Sequence, residues 1–307
     1  MRKVLIFFLL LILIPFLIVG LRNYEELEFK LKYGSVSNQS IVVKRVSKNR
    51  IEEVPLEEYV VGVVAGEMPV TFNMEALKAQ AVAARTYALK KAYASKTNYD
   101  VVDTTTNQVY LDEEDRKLKW KNNFIKNNEK IKEAVIKTKG EVILYNNNLI
   151  DALFFSTSNG YTEDSGDVFQ SQYPYLVSVT SSWDKTESPV FNTTQTILKN
   201  NFFFNLGLSN QEYIEIKDII KTNTGRVKKI TINNVVFDSK TIVKAFSLRS
   251  SSFNIESSAD SVIFTVSGFG HGVGMSQYGA NGMAKEGKPY DQILKYYYQN
   301  TNIKKIN

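Results

Sequence analysis

The sequence predicts an α+β fold: mixed helices and antiparallel hairpins in one extracytoplasmic domain behind an N-terminal transmembrane helix. Three observations carry this. A charge-free apolar run follows Met1-Arg2-Lys3. Two stretches, around residues 60 and 80, combine helix-start signals with apolar faces. Short strand-like runs meet at asparagine clusters, and helices and strands do not alternate as a doubly wound sheet requires.

The apolar run from Val4 to Leu21 fits a short membrane span of about 17–25 residues. It is longer than the apolar region of a cleaved signal, about 7–15 residues. Arg22-Asn23-Tyr24-Glu25-Glu26 offers no small-residue cleavage site. An uncleaved anchor over 1–21 is therefore expected, with Arg2 and Lys3 in the cytoplasm and the rest of the chain outside. Residues 22–39 read as a polar tether, and 40–307 as the globular domain. A strand opens it at Ser40–Val46. A helix follows from Leu56 to about Glu67: Pro55 suits its start, Glu57 and Glu58 its positive end, and Pro69 stops it. The next helix is expected to be capped by Asn73, with Phe72 stapled onto Leu77, and to run to about Ala94 through many alanines. Lys130–Thr138 reads as a helix. Glu141–Tyr145 and Leu149–Phe155 read as strands turned by Asn146-Asn147-Asn148. Arg226–Ile232 and Val235–Phe237 form a second hairpin at Asn233-Asn234, and Ser239 caps a short helix through Phe246. A glycine-rich loop, Gly268 to Gly274, leads into two short helices, about Ser276–Lys285 and Pro289–Gln299.

Composition narrows the chemistry. Of 307 residues 43% are hydrophobic, enough for a substantial core. Lys and Arg number 38 against 32 Asp and Glu, a net charge of +6. That balance suits an anionic polymer or membrane surface as well as plain solubility, and no nucleic-acid motif accompanies it. With no cysteine and one histidine, disulfides, thiolate sites and multi-histidine zinc sites are excluded, and no cofactor is expected.

Three segments could carry chemistry. In Gly66-Glu67-Met68-Pro69, a glutamate sits at the negative end of a helix among Val63, Val64 and Met68. The dipole and the apolar surroundings both favour its protonated form, as a general acid needs. Alone, such a residue is usually just a solvated helix end. The loop Gly268-Phe269-Gly270-His271-Gly272-Val273-Gly274 runs into Met275-Ser276-Gln277-Tyr278. It matches neither the dinucleotide fingerprint, nor the P-loop, nor the G-x-S-x-G elbow. Phe154 to Thr162 is a strand entering a small polar turn, readable as a simple hairpin end.

Glu58-Tyr59-Val60, Gly66-Glu67-Met68-Pro69, Glu75 to Tyr87, Gln108-Val109-Tyr110 and Gly270 to Ala280 together resemble the stage II sporulation protein D family over roughly residues 40–307. The resemblance implies a lytic transglycosylase. Such an enzyme cleaves MurNAc–GlcNAc bonds in glycan strands freed of stem peptides and leaves 1,6-anhydro-MurNAc ends. Glu67 matches the catalytic glutamate. Gln80, Arg85 and Tyr87 match the neighbouring helix, and His271, Ser276, Gln277 and Tyr278 match the loop expected to line the cleft. Family members act in engulfment during sporulation, with sporulation proteins P and M as partners. Relatives often carry Cys-Gly-Gly where this chain has Ser158-Asn159-Gly160, and some bind zinc there; this chain has no thiolate to offer. Two rivals stand beside this reading: a non-catalytic wall binder that recruits or stimulates an amidase, and a serine hydrolase using Ser276 or Ser156 with His271.

Overall fold

The computed structural model describes residues 39–169 and 171–306; the expected anchor, 1–21, and the expected tether up to residue 38 lie outside them. Strand β1 (Ser40–Arg45) turns back as β2 (Arg50–Pro55), and β3 (Val101–Val102) adds to β1 in parallel. Pro55, at φ −52°, ends β2 and opens helix α1 (Leu56–Glu67) without a spacer. Asn73 caps helix α2 (Met74–Ala94), its side chain accepting the Glu75 N–H at 3.0 Å. Phe72 is buried in the same core as Leu77, and its ring meets Tyr278 edge-on at 4.9 Å.

Helix α2 is buried from Ala76 to Leu89 except at Lys78, and it is the centre of the main core. Ala76, Ala79, Ala81, Ala83, Ala84 and Ala88 are fully buried. Their small side chains let neighbours pack close: α1, helix α4 (Phe124–Lys137), strand β4 (Glu141–Tyr145), and the C-terminal helices α9 (Gln277–Lys285) and α10 (Tyr290–Tyr297). Helix α3 (Glu113–Trp120), which precedes α4, is held differently. Asp112 and Asp115 make a reciprocal capping box, and only Arg116 is buried.

Strand β4 pairs with β5 (Asn148–Leu149) and with the C-terminal β14 (Asn302–Lys305). The expected strand Leu149–Phe155 is therefore split. After Leu149 the chain leaves β4, and β6 (Phe154–Phe155) pairs in parallel with β13 (Met275–Ser276). This pairing brings the polar turn after Phe155 against the glycine loop before Met275: Thr157 bridges Phe269, and Glu163 bridges Val273.

Short helices α5 (Ser165–Val168) and α6 (Asp184–Glu187) follow in the loops beyond β6. A second apolar core then occupies 192–267. Here β7 (Asn192–Leu198), β11 (Phe253–Ser257) and β12 (Ser261–Ser267) form one antiparallel sheet. Strands β8 (Ile216–Lys221), β9 (Val227–Ile232) and β10 (Val235–Asp238) form another. Helices α7 (Lys199–Asn205) and α8 (Ser239–Phe246) complete it. Its aromatic centre includes Phe202 stacked on Phe246 at 5.1 Å and Phe264 at 5.0 Å from Phe246. The hairpin turn at Asn233-Asn234 has both residues at positive φ, 46° and 63°. The cap of α8 is Asp238, one residue earlier than expected, accepting the Thr241 N–H at 2.7 Å. This core leaves the first after Phe191 and returns at Gly268, whose N–H bonds the Phe191 carbonyl at 2.8 Å. The glycine loop therefore begins where the second core hands the chain back to the first. The described part is α+β with mostly antiparallel sheets.

Candidate active site

Glu67 is the last residue of α1; Met68 already has extended angles, as Pro69 demands. The carboxylate reaches an open cleft of about 750 Å³ between α2, the segment before Val109, the 151–156 strand region and the glycine loop. Two contacts define its position. Its Oε1 accepts the Val109 N–H at 2.6 Å, and Gln277 donates a side-chain hydrogen bond to it. Gly66 makes the first contact possible, because a Cβ there would stand 2.4 Å from the Val109 carbonyl oxygen. At the same helix end, Lys119 Nζ caps the Ala65 carbonyl at 2.7 Å.

Burial pushes the Glu67 carboxyl up to about 7, opposed in part by the Val109 N–H, the Lys119 charge and Gln277. The folded protein thus holds this proton more tightly than the unfolded chain. The stability it contributes is complete below the ordinary value of 4.5 and is lost as pH rises through about 7. Glu67→Gln removes that loss. Its Tm is expected to exceed that of the wild type above pH 7, with the gap closing as pH falls towards 4.5. Calorimetry across that range checks it; a pH-independent gap contradicts a raised carboxyl.

Of the other expected residues, Tyr87, Gln277 and His271 line the cleft with Glu67. The Tyr87 hydroxyl accepts from Asn107 Nδ2 at 3.0 Å, and Lys91 Nζ lies 5.2 Å over its ring. Gln80 stands behind Gln277, which donates to its Oε1 at 3.5 Å; the buried Nε2 of Gln80 has no hydrogen-bond partner. Arg85 is outside the cleft. It is fully buried, grips Glu57 with two nitrogens at 3.0 and 2.6 Å, and donates to the Glu141 carbonyl at 3.1 Å. Its guanidinium ties α1 and α2 to β4, so no donor remains for a sugar. Ser276 is also fully buried. Its hydroxyl donates to Asp184 Oδ1 and accepts the Gly279 N–H, capping α9. Tyr278 packs on Phe72 and does not line the cleft.

Asp184 gathers the segment where relatives were expected to place cysteine. Besides Ser276 it accepts from Ser158 N at 2.8 Å and Ser181 Oγ at 2.6 Å, and Ser158 Oγ donates to the Ser181 carbonyl at 3.0 Å. A buried hydrogen-bond cluster fills this place. It also removes Ser276 from the serine-hydrolase arrangement, because its hydroxyl serves Asp184 and not His271; Ser156 lines the cleft, with its hydroxyl 3.2 Å from Thr157 Oγ1.

His271 is held on both ring nitrogens. Nδ1 accepts the Val273 N–H at 3.1 Å, so the other nitrogen carries the proton and bonds the Phe154 backbone. Burial, reinforced by the Arg226 charge, pushes it down to about 4. It is a neutral wedge between Phe155 and Phe169, at 5.7 and 5.8 Å, rather than a proton donor. Arg226, from the second core, supports the loop from below. Its Nη1 donates to the Gly270 carbonyl at 2.9 Å, and its guanidinium lies where a Gly272 Cβ would be, 2.6 Å from Cζ. Gly272 itself has φ +88°. Arg226 faces the fully buried Glu163 at 3.5 Å, whose carboxyl burial raises to about 7 against the pull of Arg226.

Sequence reasoning passed over several cleft residues. Phe169 and Phe269 are 39% and 44% exposed at its rim, the right chemistry for a sugar face. Phe269, alternating with glycines, had a signal in the sequence; Phe169 had none. Asp151 adds a second carboxylate, ion-paired with Lys90 at 2.6 Å.

A family model described as Stage II sporulation protein matches residues 44–145. The chain is 44% identical over 270 residues to stage II sporulation protein D of Bacillus subtilis (strain 168), spanning 86% of this chain and 78% of that protein. It is 42% identical over 289 residues to the protein of the same description from Bacillus amyloliquefaciens, spanning 92% and 83%. Against the amidase enhancer of Bacillus subtilis (strain 168) it is 32% identical over 296 residues, spanning 79% of this chain and 40% of that one.

Proposed function

The chain belongs to the stage II sporulation protein D family, and on that premise we propose that it is a lytic transglycosylase, cutting MurNAc–GlcNAc bonds of peptidoglycan with Glu67 as acid and base. One observation carries the reading: a single carboxyl at a helix end, raised to about 7, faces an open cleft rimmed by exposed aromatic rings. At neutral pH a large fraction of Glu67 holds a proton to give. It donates that proton to the leaving oxygen as the bond to C1 of MurNAc breaks. The C6 hydroxyl of the same MurNAc then attacks C1 and returns its proton to Glu67. One bond is exchanged for another, no water is consumed, and the new end is a 1,6-anhydro sugar. The Val109 N–H and Gln277 stabilise the carboxylate between the two transfers.

A hydrolase would instead need a second carboxylate. Asp151 is the carboxylate in the cleft that could fill that role, and it is held by Lys90. Asp151→Asn is therefore expected to keep turnover within a few-fold of wild type. A loss matching that of Glu67→Gln, with glycan still bound, would mean two-carboxylate hydrolysis. In this reading the apolar run Val4–Leu21 anchors the protein in the engulfing membrane. The described domain faces the wall, working with sporulation proteins P and M on strands stripped of stem peptides. The likeness to an amidase enhancer supports a second reading, a binder that stimulates an amidase without cutting. Assay of purified glycan without any amidase separates the two.

A further inference from the structure

A second cavity of about 560 Å³ opens on the other side of the glycine loop. It shares Phe169, Gly270 and His271 with the Glu67 cleft, so the two cavities adjoin across the glycine loop. Its walls are basic. Lys228, Lys229 and Lys240 come from β9 and the start of α8, and Arg249 from the segment after α8. The acids nearby are partly committed. Asp167 pairs with Lys228 at 2.9 Å, and Asp238 caps α8 through the Thr241 N–H. Lys229 stands opposite Asp238 in the β9–β10 ladder. Lys229, Lys240 and Arg249 are exposed, and none closes an ion pair within the described residues.

Two details aim this charge at a ligand. The Arg249 guanidinium lies 5.5 Å over the Phe269 ring, and Phe269 lines the Glu67 cleft. Arg226, 1% exposed, lines the second cavity; its Nε faces Glu163 at 3.5 Å, and its Nη2 has no hydrogen-bond partner. Concentrating like charges in a concave, low-dielectric wall is unfavourable unless something negative answers them.

We propose that this cavity is a carboxylate subsite of the cleft, filled by an acidic sugar of the strand being cut, with Lys229, Lys240 and Arg249 as its recognition residues. The inference rests on the proposed reaction for the identity of the strand. A muramic sugar without its peptide presents a free lactyl carboxylate; with the peptide attached, that carboxylate has become an amide. The subsite would thus read whether the strand has been stripped. A phosphate-bearing wall polymer offers the same charge, and the experiment tells the two apart.

The test uses the full-length Glu67→Gln chain, which binds without cutting, and purified peptide-free glycan in two forms: native, and with its carboxylates reduced to alcohols. Native strands are expected to bind about tenfold more tightly, with the difference shrinking as salt rises. The further variant K229Q/K240Q/R249Q, altered only at exposed positions, should lose this preference while binding the reduced strand as its parent does. Equal binding of the two strands, no binding of either, or an undiminished preference in the triple variant overturns the proposal. Displacement of native strand by polyglycerol phosphate at concentrations where free lactate has no effect reassigns the cavity to phosphate polymers, and also overturns it. Because binding alone is read, failure here is distinct from failure of the cleavage reading, which appears as missing product.

Discussion

Glu67→Gln is expected to lower glycan cleavage about 100-fold or more, the scale of a lost general acid, while the protein stays folded. The amide keeps the shape of the carboxylic acid, and its oxygen can still accept the Val109 N–H that holds the side chain. It cannot supply a proton to the leaving oxygen or take one from the C6 hydroxyl, so both halves of the reaction fail. The wild-type rate should also fall as pH rises through about 7, because the acid must be protonated to start. Near wild-type turnover by the variant on purified glycan would remove Glu67 from the chemistry. A flat rate between pH 6 and 8 would remove the raised carboxyl from the mechanism.

Gly272→Val is expected to have the second-largest effect, and to act on stability and activity together. At φ +88° a β-branched residue is strained by about 1–3 kcal/mol. Its Cβ would also stand 2.6 Å from Arg226 Cζ, and a side chain 1% exposed has little room to retreat. Moving Arg226 breaks its bond to the Gly270 carbonyl and leaves Glu163 buried without its cation. Overpacking adds roughly another 1–3 kcal/mol. We expect a drop in Tm of several degrees and about a tenfold loss of cleavage, as His271 and Phe269 shift at the cleft wall. Arg226→Ala removes the same two contacts, so in the Gly272→Val chain it should cost less than it does in the wild type. An unchanged Tm for Gly272→Val would show that the loop does not rest on Arg226.

The parts of this fold legible in the sequence are those held by local chemistry. Helix α2 announced itself by Asn73 and its alanines, and the Asn233-Asn234 hairpin by two residues that tolerate positive φ. Helix α3 was missed because it has almost no apolar face: a capping box and ion pairs hold it, and Arg116 is its one buried side chain. Strand β6 was joined to the wrong partner because Phe154-Phe155 pairs with Met275-Ser276, far along the chain. The same division runs through the site. Glu67 could be picked out from its helix end; the backbone N–H that steadies it comes from Val109, which lies in a motif of the resemblance but whose apolar side chain gives no sign of that contact. Arg85 and Ser276 look like ligand-binding groups until Glu57 and Asp184 are found against them. His271 is expected in the loop that lines the cleft, and it stands there. Its two nitrogens are in fact occupied by Val273 and Phe154, neighbours set by the loop path and the β6–β13 pairing.

The central claim is that one carboxyl, Glu67, exchanges the glycosidic bond between two sugars for an internal one between C1 and O6 of the same sugar. The most direct measurement is mass spectrometry of the chain ends made by the purified full-length protein from peptide-free glycan, with no amidase present. The account predicts new MurNAc ends lighter than reducing ends by one water, accumulating with wild type and Asp151→Asn and absent with Glu67→Gln. Reducing ends from wild type would contradict it in favour of hydrolysis, and no new ends at all in favour of a binder that acts through an amidase.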